Sequence, residues 1–128
     1  MANPFVHIEL QTQDLAKAKE FYSSLFDWKL EDIPVASDEM AYTLIKVGEG
    51  TGGGMFASQD PKIPSHWLAY VGVDDIEAST LKARELGATV LQEVMAVGDY
   101  GWLSVIKDPT GAVLALWKPN PAMPVGSG

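Results

Sequence analysis

The 128-residue sequence predicts an α+β fold made of two copies of one small unit. Three observations carry that reading. A strand pattern, a helix pattern and two or three further strand patterns follow one another in the same order twice. Both helix patterns are reached from a strand through an acidic capping residue. Between the copies lies Gln59-Asp60-Pro61-Lys62-Ile63-Pro64-Ser65, whose two prolines mark a linker. The expected layout is one domain over residues 1–118. Module one covers about 4–58, the linker 59–65 and module two about 66–118. Residues 119–128, rich in Pro, Gly and small side chains, read as a loose tail. Two such units facing each other would enclose a cleft suited to a small ligand.

In the first strand, Val6, Ile8 and Leu10 share the face expected against the helix, and Phe5, His7 and Glu9 share the other. The first helix spans about Asp14–Phe26. Leu15, Ala18, Tyr22, Leu25 and Phe26 recur at the spacing of a buried face, with Lys17, Lys19 and Glu20 outside it. Asp14 or Thr12 is placed to cap it, and Asp27 stands where a left-handed residue would turn the chain. Strands are expected at Tyr42–Val47 and Gly53–Ala57. The glycine-rich run Gly48–Gly54 between them lacks the Gly-Lys-Ser/Thr ending of a phosphate loop and reads as a flexible hairpin connection.

The second copy opens with Trp67–Val71. Asp74 and Glu77 have capping-box spacing for a helix over Asp75–Leu86, with Ile76, Thr80, Ala83 and Leu86 as its inner stripe and Gly87 as its stop. Strands follow at Trp102–Ile106 and Ala112–Trp117. The turn Asp108-Pro109-Thr110-Gly111 joins these last two as a hairpin.

Composition narrows the partners. A net charge of −8, from 17 acidic and 9 basic residues with no basic stripe, argues against nucleic acid. No apolar run is long enough to span a bilayer, and no leader of signal-peptide type opens the chain. Cysteine is absent, which removes disulfide and thiolate chemistry. A cytoplasmic protein is the default expectation.

The residues also resemble a known family. A strand carrying His7, then Asp14-Leu15 opening a helix with Phe21-Tyr22 and Leu25-Phe26-Asp27-Trp28, resembles the first module of the vicinal oxygen chelate superfamily. That superfamily includes glyoxalase I, bleomycin-resistance proteins and extradiol dioxygenases. Val73-Asp74-Asp75, Leu86-Gly87-Ala88 and Asp108-Pro109-Thr110-Gly111 are similar to its second module. The resemblance implies tandem βαβββ modules forming an open cupped sheet around a cleft, often in a homodimer.

It also implies a place to look for metal. Enzymes of that family commonly hold a divalent ion through the first and last strands of each module, and the ion stabilises an oxyanionic intermediate as a Lewis acid. His7 matches the ligand position on the first strand. The stretch Gly53-Gly54-Met55-Phe56-Ala57 offers no oxygen or nitrogen side chain, and the other two positions fall on Leu68 and Ala115. A single histidine does not hold a catalytic metal. The expectation is therefore a site with no metal and no cofactor. A rearranged set of His7, Glu9 and His66 is the alternative, since Glu9 shares the His7 face and His66 lies two residues before Leu68.

Without a metal the distinctive content is aromatic. Tyr70 and Trp117 are expected to face the cleft, with Phe56 and Trp102 in or beside it and His7 and Glu9 as its polar groups. Trp28 reads as a packing anchor, and Trp67 and Trp102 also suit a dimer interface. The expected function is binding of a small aromatic or cationic molecule by a homodimer, with Glu9 recognising a cation or donor. The alternatives are a metal-dependent lyase, isomerase or dioxygenase using the rearranged site, and a protein-interaction module.

Overall fold

A computed structural model describes residues 2–33 and 42–121. Its elements are β1 Phe5–Thr12, α1 Leu15–Leu25, β2 Lys29–Ile33, β3 Tyr42–Lys46, β4 Gly53–Ala57, β5 His66–Gly72, α2 Ile76–Glu85, β6 Thr89–Val97, β7 Gly101–Lys107 and β8 Val113–Pro119. The expected α+β fold of two βαβββ modules is what forms. Two strands, β2 and β6, complete the three that follow each helix. The strands group in the orders β2-β3-β4-β1 and β5-β8-β7-β6. The chain divides into two compact units, residues 7–68 and residues 2–6 with 69 onward.

In the first unit β1 runs parallel to β4, while β2, β3 and β4 are antiparallel neighbours. Strand alternation sends Leu10, Ile45 and Met55 to the helix side, where Leu15, Ala18, Tyr22, Trp28, Leu30 and Val47 pack on them. Asp14 caps α1 by accepting from the Lys17 backbone N–H at 3.0 Å, and Thr12 Oγ1 accepts from the Asp14 N–H. Two expectations for this helix fail. Leu25 and Phe26 are 56% and 45% exposed, because α1 ends at Leu25 and its inner face is filled by Leu15, Ala18 and Tyr22. Asp27 is not left-handed: among the described residues only glycines have positive φ, and Phe26 leaves the helix in extended conformation. The linker is pinned to β1, with Gln13 Nε2 donating to the carbonyls of Asp60 and Ile63 and Ser65 Oγ accepting from the Gln13 N–H.

In the second unit β5 and β8 are parallel, and β6-β7-β8 is an antiparallel meander. Val73, Ile76, Ile106 and Leu116 form its core under α2. Thr80 Oγ1 bonds the Ile76 carbonyl at 2.6 Å and the Ser104 hydroxyl at 2.8 Å, so both buried hydroxyls are satisfied. The β7–β8 turn is held by Asp108, whose Oδ1 accepts from the backbone N–H groups of Thr110 and Ala112 and from the Thr110 hydroxyl. Those hydrogen bonds, the Thr110 hydroxyl first, lower the Asp108 pKa from its ordinary value. Of the expected tail, Pro119 ends β8 and Asn120 bonds the carbonyls of Asp99 and Tyr100. Residues 122–128 lie outside the described residues.

The α2 cap also differs from expectation. Asp75, not Asp74, is the N-cap, accepting from the Ala78 N–H at 3.1 Å. Leu86 is 70% exposed rather than on the inner stripe, because α2 stops at Glu85 and Gly87 takes φ +104° to turn the chain. Asp75→Ala should therefore cost about 1 kcal/mol in urea unfolding, the usual worth of an N-cap. Asp74→Ala should stay within about 0.5 kcal/mol of the parent, as surface substitutions do.

Candidate functional site

The face of the first unit turned away from α1 holds a polar cluster. Alternation along β1 puts His7, Glu9 and Gln11 on that face, and pairing aligns Glu9 with Gly54 and Gln11 with Phe56 on β4. Tyr42 stands opposite Phe56 across the β3–β4 ladder. Its hydroxyl bonds both flanking groups. Tyr42 Oη lies 2.7 Å from His7 Nε2 and donates to Glu9 Oε2 at 3.1 Å. Since the phenolic proton goes to Glu9, the tautomer that satisfies the other contact carries its proton on His7 Nε2 and donates to Tyr42. Gln11 Nε2 completes the set with a longer bond of 3.4 Å to Glu9 Oε1. Glu9 is 7% exposed, so its carboxylate is held by these donors rather than by bulk water.

Burial lowers the His7 pKa from 6.5 to about 4, which leaves the imidazole neutral at physiological pH. Aromatic rings flank the cluster. Tyr42 stacks near His7 at 6.4 Å between centroids and near Phe56 at 6.2 Å.

The phenol fits because residue 54 is glycine. A Cβ built on Gly54 would fall 2.0 Å from Tyr42 Oη and 2.3 Å from Cζ, and the nearest atoms to it are all of Tyr42. Any larger residue at 54 would have to displace the Tyr42 ring. Sequence reasoning missed Tyr42 as a site residue. The glycines of β4 were visible as a gap in the donor pattern, but not the side chain from β3 that fills it.

The other expected ligand residues lie in the second unit. Tyr70, Ala115 and Trp117 share the face away from α2, with Tyr70 paired to Ala115 and its ring 6.3 Å from that of Trp117. Gly101 accommodates the close approach of β8, since a Cβ there would lie 2.3 Å from the Lys118 carbonyl oxygen and 2.7 Å from Trp117 Cζ2. Trp102 is on the opposite face. It packs against the α2 core, lines a surface recess of about 560 Å³ beside the Arg84–Glu93 ion pair, and has Lys118 Nζ 5.4 Å above its ring. Within the first unit the structure groups His7, Glu9 and Phe56; within the second it groups Tyr70 and Trp117 and puts Trp102 on the other face.

Trp28 is the packing anchor expected of it, on the α1 side of the first unit. Tyr22 is the hub there, in ring contact with Phe21, Phe26, Trp28 and Trp67. Trp28 and Trp67 also border an apolar recess of about 240 Å³ with Ile8, Ile45 and Val47.

Comparison with known proteins agrees with this architecture. The profile of the Glyoxalase/Bleomycin resistance protein/Dioxygenase superfamily matches residues 5–116. The chain belongs to that superfamily. Within it, CFP32 of Mycobacterium tuberculosis (strain CDC 1551 / Oshkosh), provisionally named a glyoxylase, is 36% identical over 117 residues, 88% of this chain and 44% of that protein. The anthracycline biosynthesis protein DnrV of Streptomyces peucetius is 26% identical over 136 residues, 86% of this chain and 45% of that one. The chain therefore spans under half the length of these relatives. Among solved structures, methylmalonyl-CoA epimerase from Mycobacterium tuberculosis superposes with a TM-score of 0.69 at 20% identity, covering 91% of this chain and 88% of that one. The hypothetical protein BH1468 from Bacillus halodurans C-125 gives 0.73 at 14%, covering 98% and 100%. At these identities the structures speak for the fold alone.

The divalent metal common in glyoxalase-superfamily enzymes can be tested against the residues. His7 Nε2 is committed to Tyr42, Gly54 has no side chain, Leu68 is buried and apolar, and Ala115 is 0% exposed. The matched positions do not fit such a centre. The rearranged set does not assemble either. His66 Nδ1 bonds the Pro64 carbonyl at 2.8 Å, and among the described residues no three His, Asp or Glu side chains group closely enough to hold an ion.

The His7 environment predicts an acid-limb effect. Above pH 6.5 His7 is neutral in both folded and unfolded chains. Between 6.5 and about 4 the unfolded chain takes up a proton that the folded one refuses, so stability is full above 6.5 and falls towards 4. The loss is on the order of 3 kcal/mol. Urea unfolding of His7→Gln across that window should show a flatter pH profile than the parent. NMR titration of the His7 ring should give a midpoint near 4.

Proposed function

We propose that this glyoxalase-superfamily chain binds a small organic molecule, aromatic or cationic, over the His7–Tyr42–Glu9 face with Phe56 beside it and without a metal. One observation carries the reading: a buried carboxylate, a phenol and a neutral imidazole are already joined in one hydrogen-bonded cluster with an aromatic wall. Preorganised polar groups next to flat apolar surface are the usual make-up of a small-ligand site. A planar cation would stack on the rings and sit within reach of the Glu9 charge. The name of DnrV places that relative in anthracycline biosynthesis, and anthracyclines are planar polycyclic compounds, in keeping with this ligand class. Tyr70 and Trp117 provide a second aromatic surface of the same character.

Titration with proflavine, a planar cation, and anthraquinone-2-sulfonate, a planar anion, followed by NMR, tests the reading. Proflavine should move the His7, Tyr42 and Phe56 resonances saturably, and Glu9→Gln should weaken it at least about tenfold, the worth of one charge-assisted contact. No saturable change at those residues with either compound would sink the proposal. A cytoplasmic location belongs to the same reading, and cell fractionation checks it. Among the described residues no helix is long and apolar enough to cross a membrane.

The first unit also supports a homodimer. Phe21, Leu25, Phe26 and Trp67 are exposed, and the three aromatics among them cluster on Tyr22. An exposed aromatic surface of this kind is characteristic of protein interfaces. The relatives' greater length gives them chain that could cover the same face. Light scattering should report a dimer, and Phe26→Asp should raise its dissociation constant at least about a hundredfold. A parent chain monomeric at high micromolar concentration would remove this part.

A further inference from the structure

We infer that the Tyr42 hydroxyl stands in for a cation in the first module: it links His7 to Glu9 across the gap a divalent ion would fill, and Gly54 is the residue that admits it. The distances make the case. His7 Nε2 and Glu9 Oε2 are 4.0 Å apart, so the middle of that span is about 2 Å from each donor, an ordinary metal–ligand length. Tyr42 Oη, 2.7 Å from the nitrogen and 3.1 Å from the oxygen, lies about 2 Å off that point, so an ion there would press directly on the phenol.

An ion placed there has two routes, and each is costly. Either the phenol leaves, losing both hydrogen bonds, or it ionises and becomes a ligand, giving up a proton that phenols ordinarily hold until about pH 10. The imidazole would also have to switch tautomer, because the nitrogen facing Tyr42 carries the proton in the present arrangement. The neutral state of His7 is not the obstacle, since a neutral imidazole is the form that binds metal.

Gly54 and Tyr42 are therefore a coupled pair. A side chain at 54 and the Tyr42 ring compete for the same volume, and the nearest atoms to a residue-54 Cβ all belong to Tyr42. Removing the ring frees the His7–Glu9 span and makes room for a third donor on β4. Only geometry within the first unit enters here, so the inference stands apart from whether the face binds an organic ligand.

The test is calorimetric titration with NiCl₂, supported by thermal melts and circular dichroism, on the untagged parent, Tyr42→Ala and Tyr42→Ala/Gly54→Glu. The parent should show only weak surface binding, unchanged by His7→Ala. The double variant should bind one nickel ion at least about a hundredfold more tightly, with a third N/O donor added to a His7–Glu9 pair no longer bonded to the phenol, and adding His7→Ala should abolish the gain. If the double variant does not fold, Tyr42→Ala alone should still bind at least about tenfold more tightly than the parent through the freed His7–Glu9 pair. One-to-one binding by the parent that is lost in His7→Ala or Tyr42→Phe would overturn the inference and make Tyr42 a ligand. A folded variant that binds no better than the parent would overturn it too.

Discussion

The close approach of Tyr42 to Gly54 is the constraint on which the candidate site depends. Everything polar on that face is arranged around an aromatic ring lying where a β4 side chain would begin. With the ring in place, Glu9 is buried with a donor, His7 has a partner, and Phe56 has a stacking neighbour. Without it, a carboxylate of 7% exposure would lose the Tyr42 hydroxyl as a hydrogen-bond donor, at the desolvation cost that makes unmatched buried polar groups expensive. A side chain absent at one position thus decides the chemistry of three others.

A bare glycine also lies against an aromatic ring in the second unit. A Cβ at Gly101 on β7 would meet the Lys118 carbonyl oxygen at 2.3 Å before Trp117 of β8 at 2.7 Å, so there the β8 backbone makes the first demand. In both units the aromatic ring lies on the sheet face away from the helix, while the aliphatic core forms on the helix side. The faces therefore differ in kind. The helix side of each unit is a close-packed apolar core in which Trp28 and Trp102 join the aliphatic side chains, and the other side carries further aromatic rings, with an imidazole and a buried carboxylate added in the first unit. Packing explains the first side, and a packing role alone does not account for a buried carboxylate on the second.

The fold was legible in the sequence because its signals are local. Alternation in Val6-His7-Ile8-Glu9-Leu10, the periodic Leu15, Ala18 and Tyr22, and the Asp108–Gly111 turn each need only a few neighbours to be read. Errors came where one residue decides a boundary. Leu25, Phe26 and Leu86 continue a helical stripe in sequence, yet the helices end beneath them. Asp74 and Asp75 are equivalent as capping residues until the first helical turn is placed. The site was half legible. His7 and Glu9 follow from strand alternation, whereas Tyr42 enters through the β3–β4 register, which aligns it with Phe56 and sends its hydroxyl over Gly54. Register between strands is a long-range property that no window of sequence contains.

Trp102 shows the same limit from the opposite side. From sequence it is expected in or beside the cleft that Trp117 faces, or else at a dimer interface. Alternation separates them once β7 is aligned on β8: Leu103 pairs with Trp117, so Trp102 points the other way, towards α2. A difference of one residue in register thus separates a core-packing indole from one on the open face. Superfamily membership could not have made that distinction, since it speaks for the fold, and the chemistry lies in which side chains the strands turn outward. In this chain those are a phenol, an imidazole and a carboxylate in contact. Such a set can hold and orient a proton or a hydrogen-bonding ligand with no Lewis acid present, because the phenol links the imidazole to the carboxylate by hydrogen bonds within the cluster.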